Sequence, residues 1–160
     1  MNRIPAPLPV RALITLGVVA APLLLMGETR GVLALAPILA LAILAGMGER
    51  IRWLPLFTIL LGGAGELLTA HAELGAWIAA AAAAAYVMVR LRRQFIPEGF
   101  AGDFMCGLAC GLAGRVGLLL FMRLAAIPAG SGSGPFLLWG APLDGLLTAL
   151  LARAWWRESR

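Results

Sequence analysis

Three ionisable side chains fall inside long apolar runs: Glu66, Arg115 and Asp144. Two carboxylates and a guanidinium at one depth could relay protons or ions, or could hold helices together. A lone charge in the middle of a bilayer costs about 3 kcal/mol, so such groups face the interior of a bundle and pair. Counted from the arginine-rich end of each run, all three lie about twelve residues in. That spacing predicts a buried cluster in which Arg115 pairs with Asp144, Glu66 or both. A cluster of this kind can serve only to fix how helices pack, since a buried pair gives specificity without adding stability. His71 follows Glu66 by five residues, which does not align the two on one helix face, and it reads as a solvated loop histidine. Cys106 and Cys110, four apart in an apolar stretch, share a helix face but have no second ligand pair. They read as buried small hydrophobes, with no metal or disulfide framework. No HExxH, GxSxG, Walker or Cys-His signature is present, so no catalytic residue, no cofactor and no enzyme activity is expected.

The elements that must position these groups are helices in lipid. Of 160 residues, 61% are hydrophobic and 13% charged, and the mean hydropathy is +0.91. A soluble domain carries about 25% charge. Lipid leaves unpaired backbone groups without partners, so helices are the expected spanning element. Six apolar segments emerge, at 12–27, 32–48, 54–70, 74–90, 103–124 and 135–156. The expected fold class is therefore an all-α membrane protein, a six-helix transmembrane bundle forming a single domain over 1–160. The N-terminal segment contains Arg11 and is followed by Gly27-Glu28-Thr29-Arg30, which does not read as a cleaved signal.

All 13 basic residues are arginines. Arg3, Arg11, Arg50, Arg52, Arg90, Arg92, Arg93, Arg153, Arg157 and Arg160 fall on one side of the expected bundle. Arg30 and Arg123 fall on the other. This asymmetry is a positive-inside signal, placing the N and C termini in the cytoplasm, and it argues against a nucleic-acid partner. Trp53, Trp139, Trp155 and Trp156 sit near expected helix ends, as interfacial anchors do. Residues 130–134, Gly-Ser-Gly-Ser-Gly, read as a flexible outer loop. Gly107, Gly111 and Gly114 recur at helical spacing, and Gly62, Gly63 and Gly65 crowd the segment before Glu66. Small residues let membrane helices approach closely, so these glycines are expected at packing faces.

The stretch Leu60-Leu-Gly-Gly-Ala-Gly-Glu-Leu-Leu-Thr69, then Leu74-Gly-Ala-Trp77, then Arg90-Leu-Arg-Arg93 resembles the rod shape-determining protein MreD family. The length and the close, an apolar helix followed by arginines over Leu143 to Arg160, are similar too. Three departures stand out. Glu66 takes the place of the family's usual Asp; Ala70-His71-Ala72-Glu73 replaces a loop with Ser-Pro; and Leu35-Ala36-Pro37 lacks a Pro-Asp pair. The resemblance implies a non-enzymatic scaffold of the bacterial inner membrane, part of the elongasome that builds sidewall peptidoglycan. Its implied partners are membrane lipid, an MreC-like protein and sidewall-synthesis enzymes; homo-oligomers are compatible with it. The family is similar in fold to the substrate-binding subunits of energy-coupling-factor vitamin transporters, which makes such a subunit the alternative. A vitamin pocket needs aromatic and polar groups near the outer face. His71, Glu73, Arg30, Arg123 and Trp139 are nearly all that the outer side offers.

Overall fold

A computed structural model describes residues 3–5, 7–20, 30–48, 53–69, 75–94, 99–125 and 138–158. Six helices account for most of them: α1 (Leu8–Ala20), α2 (Arg30–Met47), α3 (Leu54–Thr69), α4 (Ala76–Leu91), α5 (Gly99–Leu124) and α6 (Ala141–Trp155). Two three-residue strands, β1 (Arg3–Pro5) and β2 (Trp156–Glu158), pair antiparallel, with Arg3 opposite Glu158 and Pro5 opposite Trp156.

The helix positions follow local rules. Pro9 falls in the first turn of α1 and Pro142 in that of α6, where a missing N–H costs nothing and the fixed φ suits the helix. That proline explains a difference from the expected 135–156: α6 begins at Ala141, behind Gly140. At its other end Trp156 is extended (φ −118°, ψ 127°) and belongs to β2 rather than to the helix. α5 begins four residues ahead of the expected 103, so Asp103 lies inside it. Residues 21–27 and 135–137 of the expected first and last segments, with His71 and the 130–134 loop, lie outside the described residues.

α2 is the centre of the bundle. Ten consecutive residues, 35–44, are buried, as a helix apolar on all sides requires. It packs against α3, α4, α5 and α6, while α3, α4, α5 and α6 also touch in sequence order. Contacts fix the directions. Gly107 and Gly111 of α5 face Thr148 and Asp144 of α6, so these two are antiparallel. Gly114 faces Ala80 and Ala84, Gly117 faces Ala83, and Gly75 faces Phe121, so α4 and α5 are antiparallel as well. Gly46 near the end of α2 meets Ala85 and Met88 near the end of α4. The C-terminal ends of α2, α4 and α6 thus share one end of the bundle with the N-terminus of α5. The Arg153 guanidinium lies over the Phe100 ring there, 5.2 Å from its centroid. Arg123 closes α5 at the opposite end.

α2 buries large side chains, among them Leu35, Ile38, Leu39, Leu41, Ile43 and Leu44, whereas the helices around it meet largely through small residues. The buried positions of α4, α5 and α6 carry Ala76, Ala80, Ala81, Ala84, Gly107, Gly111, Gly114, Gly145 and Ala149. The outward faces carry Leu13, Leu16, Ile59, Leu60, Leu67, Met105, Leu112, Val116, Leu120, Leu146 and Leu150. Water penalises such a surface, whereas helices in lipid associate through small residues and turn large apolar ones outward. Among the described residues α5, at 26 residues, is the one helix long and apolar enough to cross a membrane; Leu35–Met47, Leu54–Leu67 and Ala76–Leu91 are apolar but shorter.

Candidate functional site

Arg115 and Asp144 are completely buried and bonded to each other. Arg115 Nε donates to Asp144 Oδ2 at 2.6 Å and Nη2 donates to Oδ1 at 2.8 Å, a two-pronged fork. Such charge-assisted pairs are the strongest side-chain hydrogen bonds, and Arg geometry suits them. Glycine makes room on both sides. A Cβ on Gly111 would lie 2.5 Å from Asp144 Cβ, and one on Gly140 would overlap the Arg115 guanidinium. The pair therefore sits where α5 and the start of α6 approach backbone to backbone. Asp144 is in the first turn of α6, where a carboxylate also complements the helix dipole.

Glu66 is buried too, with 3% of its surface exposed, and its carboxylate goes to the start of α4. Oε1 accepts from Gly75 N at 2.9 Å, from Trp77 N at 2.8 Å and from Ile78 N at 3.4 Å; Oε2 accepts from Gly75 N at 2.9 Å. The first N–H groups of a helix have no intrahelical partner. Gly75, the residue ahead of α4, supplies no side-chain cap, and Glu66 supplies one from the preceding helix. The expected pairing of Arg115 with Asp144 is present, and the Glu66 carboxylate bonds the backbone at the start of α4. Gly75 packs against the Phe121 ring of α5. The otherwise unpaired N–H groups at the start of α4 draw the carboxylate there.

The glycines divide. Gly62 would place a Cβ 2.6 Å from Ile78 Cα, and Gly65 would place one 2.6 Å from Trp77 Cε3, so both sit at the α3–α4 contact. Gly107 lies against Thr148 and Gly145, Gly111 against Asp144, and Gly114 against Leu39 and Ala80. Gly63 departs from the expectation: it faces open space, because it is one residue out of phase with the contact stripe. Cys110 Sγ lies 3.8 Å from Met88 Sδ, and both cysteines are buried thiols.

Several contributors escaped the sequence reading. Asp103 is a further buried carboxylate in α5. Arg92, read above only as a topology signal, points Nη1 at the carbonyl oxygens of Gly46 (3.4 Å), Met47 (3.2 Å) and Gly48, capping the end of α2. A cation there offsets the negative end of the helix dipole. Gly140 and Gly145 are as tightly enclosed as the glycines of α5; their signal was the spacing Gly140-Asp144-Gly145 around one buried charge. No protein-family model, curated protein or solved structure matches the chain.

Proposed function

We propose that this chain is a multi-pass protein of the bacterial inner membrane, with six spans and both ends in the cytoplasm. In this reading it is a non-enzymatic scaffold of the cell-elongation machinery, holding an MreC-like partner and sidewall peptidoglycan-synthesis enzymes. The observation that carries the reading is what the fold does with its buried charges. Arg115 and Asp144 are closed on each other with no exposed surface, and Glu66 caps α4. These groups lock helices, while the outward faces offer large apolar side chains to lipid or to a partner helix. The shared end of α2, α4 and α6 carries Arg90, Arg92, Arg93 and Arg153, and the β1–β2 pairing brings both chain ends together. That arrangement supports the positive-inside assignment. The motif from Leu60 to Trp77 also gains a physical reason, since its acidic residue bonds the backbone of its Gly75 and Trp77.

Two experiments test the proposal. Reporter fusions at successive connections, active either in the periplasm or in the cytoplasm, should alternate through six spans; any other count removes the topology. Affinity purification of the tagged protein from native membranes should recover MreC and sidewall-synthesis enzymes. Recovery of an ATP-binding-cassette pair with its coupling subunit, or of a bound vitamin, would replace the scaffold with a transporter subunit.

A further inference from the structure

α3 and α4 meet where Gly62 touches Ile78 and leave between them, toward the arginine-rich end, a groove of about 550 Å³. Pro55, Thr58 and Ile59 form one wall, and Ala82 and Tyr86 the other. The groove is apolar because its polar atoms are turned inward to one another. Thr58 Oγ1 donates to Pro55 O at 2.9 Å, and the Tyr86 hydroxyl accepts from Arg90 Nε at 3.1 Å and Nη2 at 2.9 Å. Its mouth is cationic. Arg90 and Arg93 line it, both exposed, and the Arg93 guanidinium has no hydrogen-bond or ion-pair partner among the described residues. Arg90 lies 5.3 Å from the Tyr86 ring centroid, which steers its charge to the rim.

We propose that this groove is a binding site for one anionic phospholipid, its phosphate held by Arg90 and Arg93 and an acyl chain laid along α3 and α4. The inference rests on the multi-pass reading. Charge complementarity selects the occupant: Arg90 bonds only a neutral hydroxyl and Arg93 bonds nothing among the described residues, so an apolar partner helix would bring neither a counter-ion, whereas a phosphodiester does, and Arg forks suit phosphate. Basic pockets between spans on the cytoplasmic side favour anionic headgroups in general. The size agrees. From Leu91 back to Ile78 is thirteen residues, about 20 Å along α4, more than the roughly 15 Å depth of one leaflet. The volume falls within the roughly 300–1,000 Å³ of small-molecule sites.

The test is a lipid titration of the full-length protein in mild detergent, read by native mass spectrometry, with phosphatidylglycerol and phosphatidylcholine of identical acyl chains. The wild type is expected to bind phosphatidylglycerol about tenfold more tightly. The double variant Arg90→Gln/Arg93→Gln should lose that preference to within about twofold, and Ala82→Trp, which fills the groove, should lose the bound lipid. Arg123→Gln, at the other end of the bundle, should keep the full preference. Equal binding of the two lipids by the wild type, or an unchanged preference in the double variant, overturns the site. So does a dimer that lipid cannot displace and that Ala82→Trp dissolves, since the groove would then hold a second copy. Carbonate extraction of wild-type membranes separates the two failures. Release into the supernatant removes the multi-pass reading and the site with it; retention in the pellet without lipid preference removes the site alone.

Discussion

The backbone N–H of Trp77 donates to the Glu66 carboxylate at 2.8 Å, tying the end of α3 to the start of α4 across eleven residues. Because Gly75 N also donates to both carboxylate oxygens, one side chain satisfies donors that a helix start leaves open. Glu66→Ala is expected to destabilise the protein by about 2–4 kcal/mol, the cost of a lost cap plus buried N–H groups without partners. Glu66→Gln keeps an acceptor but loses the charge, and should fall between. Denaturant titration of the purified protein in micelles reads both. An alanine variant as stable as wild type would show that water caps α4 instead.

Gly75 holds a left-handed backbone, φ +98°, at the entrance to α4. An L side chain there costs about 1–2 kcal/mol, and a Cβ would also press on Phe121 Cζ at 3.1 Å. Gly75→Ala should therefore lower the unfolding free energy by about 2 kcal/mol. Adding Phe121→Leu relieves only the contact, so most of the loss should persist in the double variant. Full rescue would mean that packing, not backbone conformation, sets the requirement.

What the sequence made legible, and what it did not, follows from where each signal resides. Arg115 and Asp144 stood out because a charge in an apolar run has no cheap alternative to a partner. Which carboxylate Arg115 takes depends on the α5–α6 register, and that register is set by glycine contacts, Gly111 on Asp144 and Gly140 on Arg115. Glu66 was legible as buried but not as a cap, because its partners are backbone N–H groups that leave no mark on residue type. Helix ends shifted where Gly140-Ala141-Pro142 punctuates the last segment. The β1–β2 pair is three residues long and too short to show alternation. Arg92 was not legible as a cap, because its contact to Gly46 and Met47 is long-range in sequence.

The Arg115–Asp144 fork gives a clean double-variant cycle. Replacing either partner alone strands a buried charge, so Arg115→Met and Asp144→Leu should each cost about 3–5 kcal/mol. Replacing both leaves an apolar contact of similar volume, and the double variant should lose no more than about 2 kcal/mol, for a coupling of at least about 4 kcal/mol. Unfolding midpoints of the four proteins in one detergent supply the cycle. Additive losses would mean that the two groups act through separate partners.

Gly111 and Gly63 make opposite demands of one substitution. At Gly111 an added methyl would lie 2.5 Å from Asp144 Cβ and Oδ2, so α6 must move away and the ion pair must loosen. Overpacking of this kind costs about 1–3 kcal/mol. At Gly63 nothing lies within 4 Å, and the position is helical. There Gly→Ala removes backbone freedom from the unfolded chain and should stabilise by about 0.5–1 kcal/mol. Gly111→Ala and Gly63→Ala should thus shift the unfolding midpoint in opposite directions under the same conditions. Destabilisation by both would put Gly63 in a contact with a partner or a second copy, because the fold itself gives that glycine no neighbour within van der Waals reach.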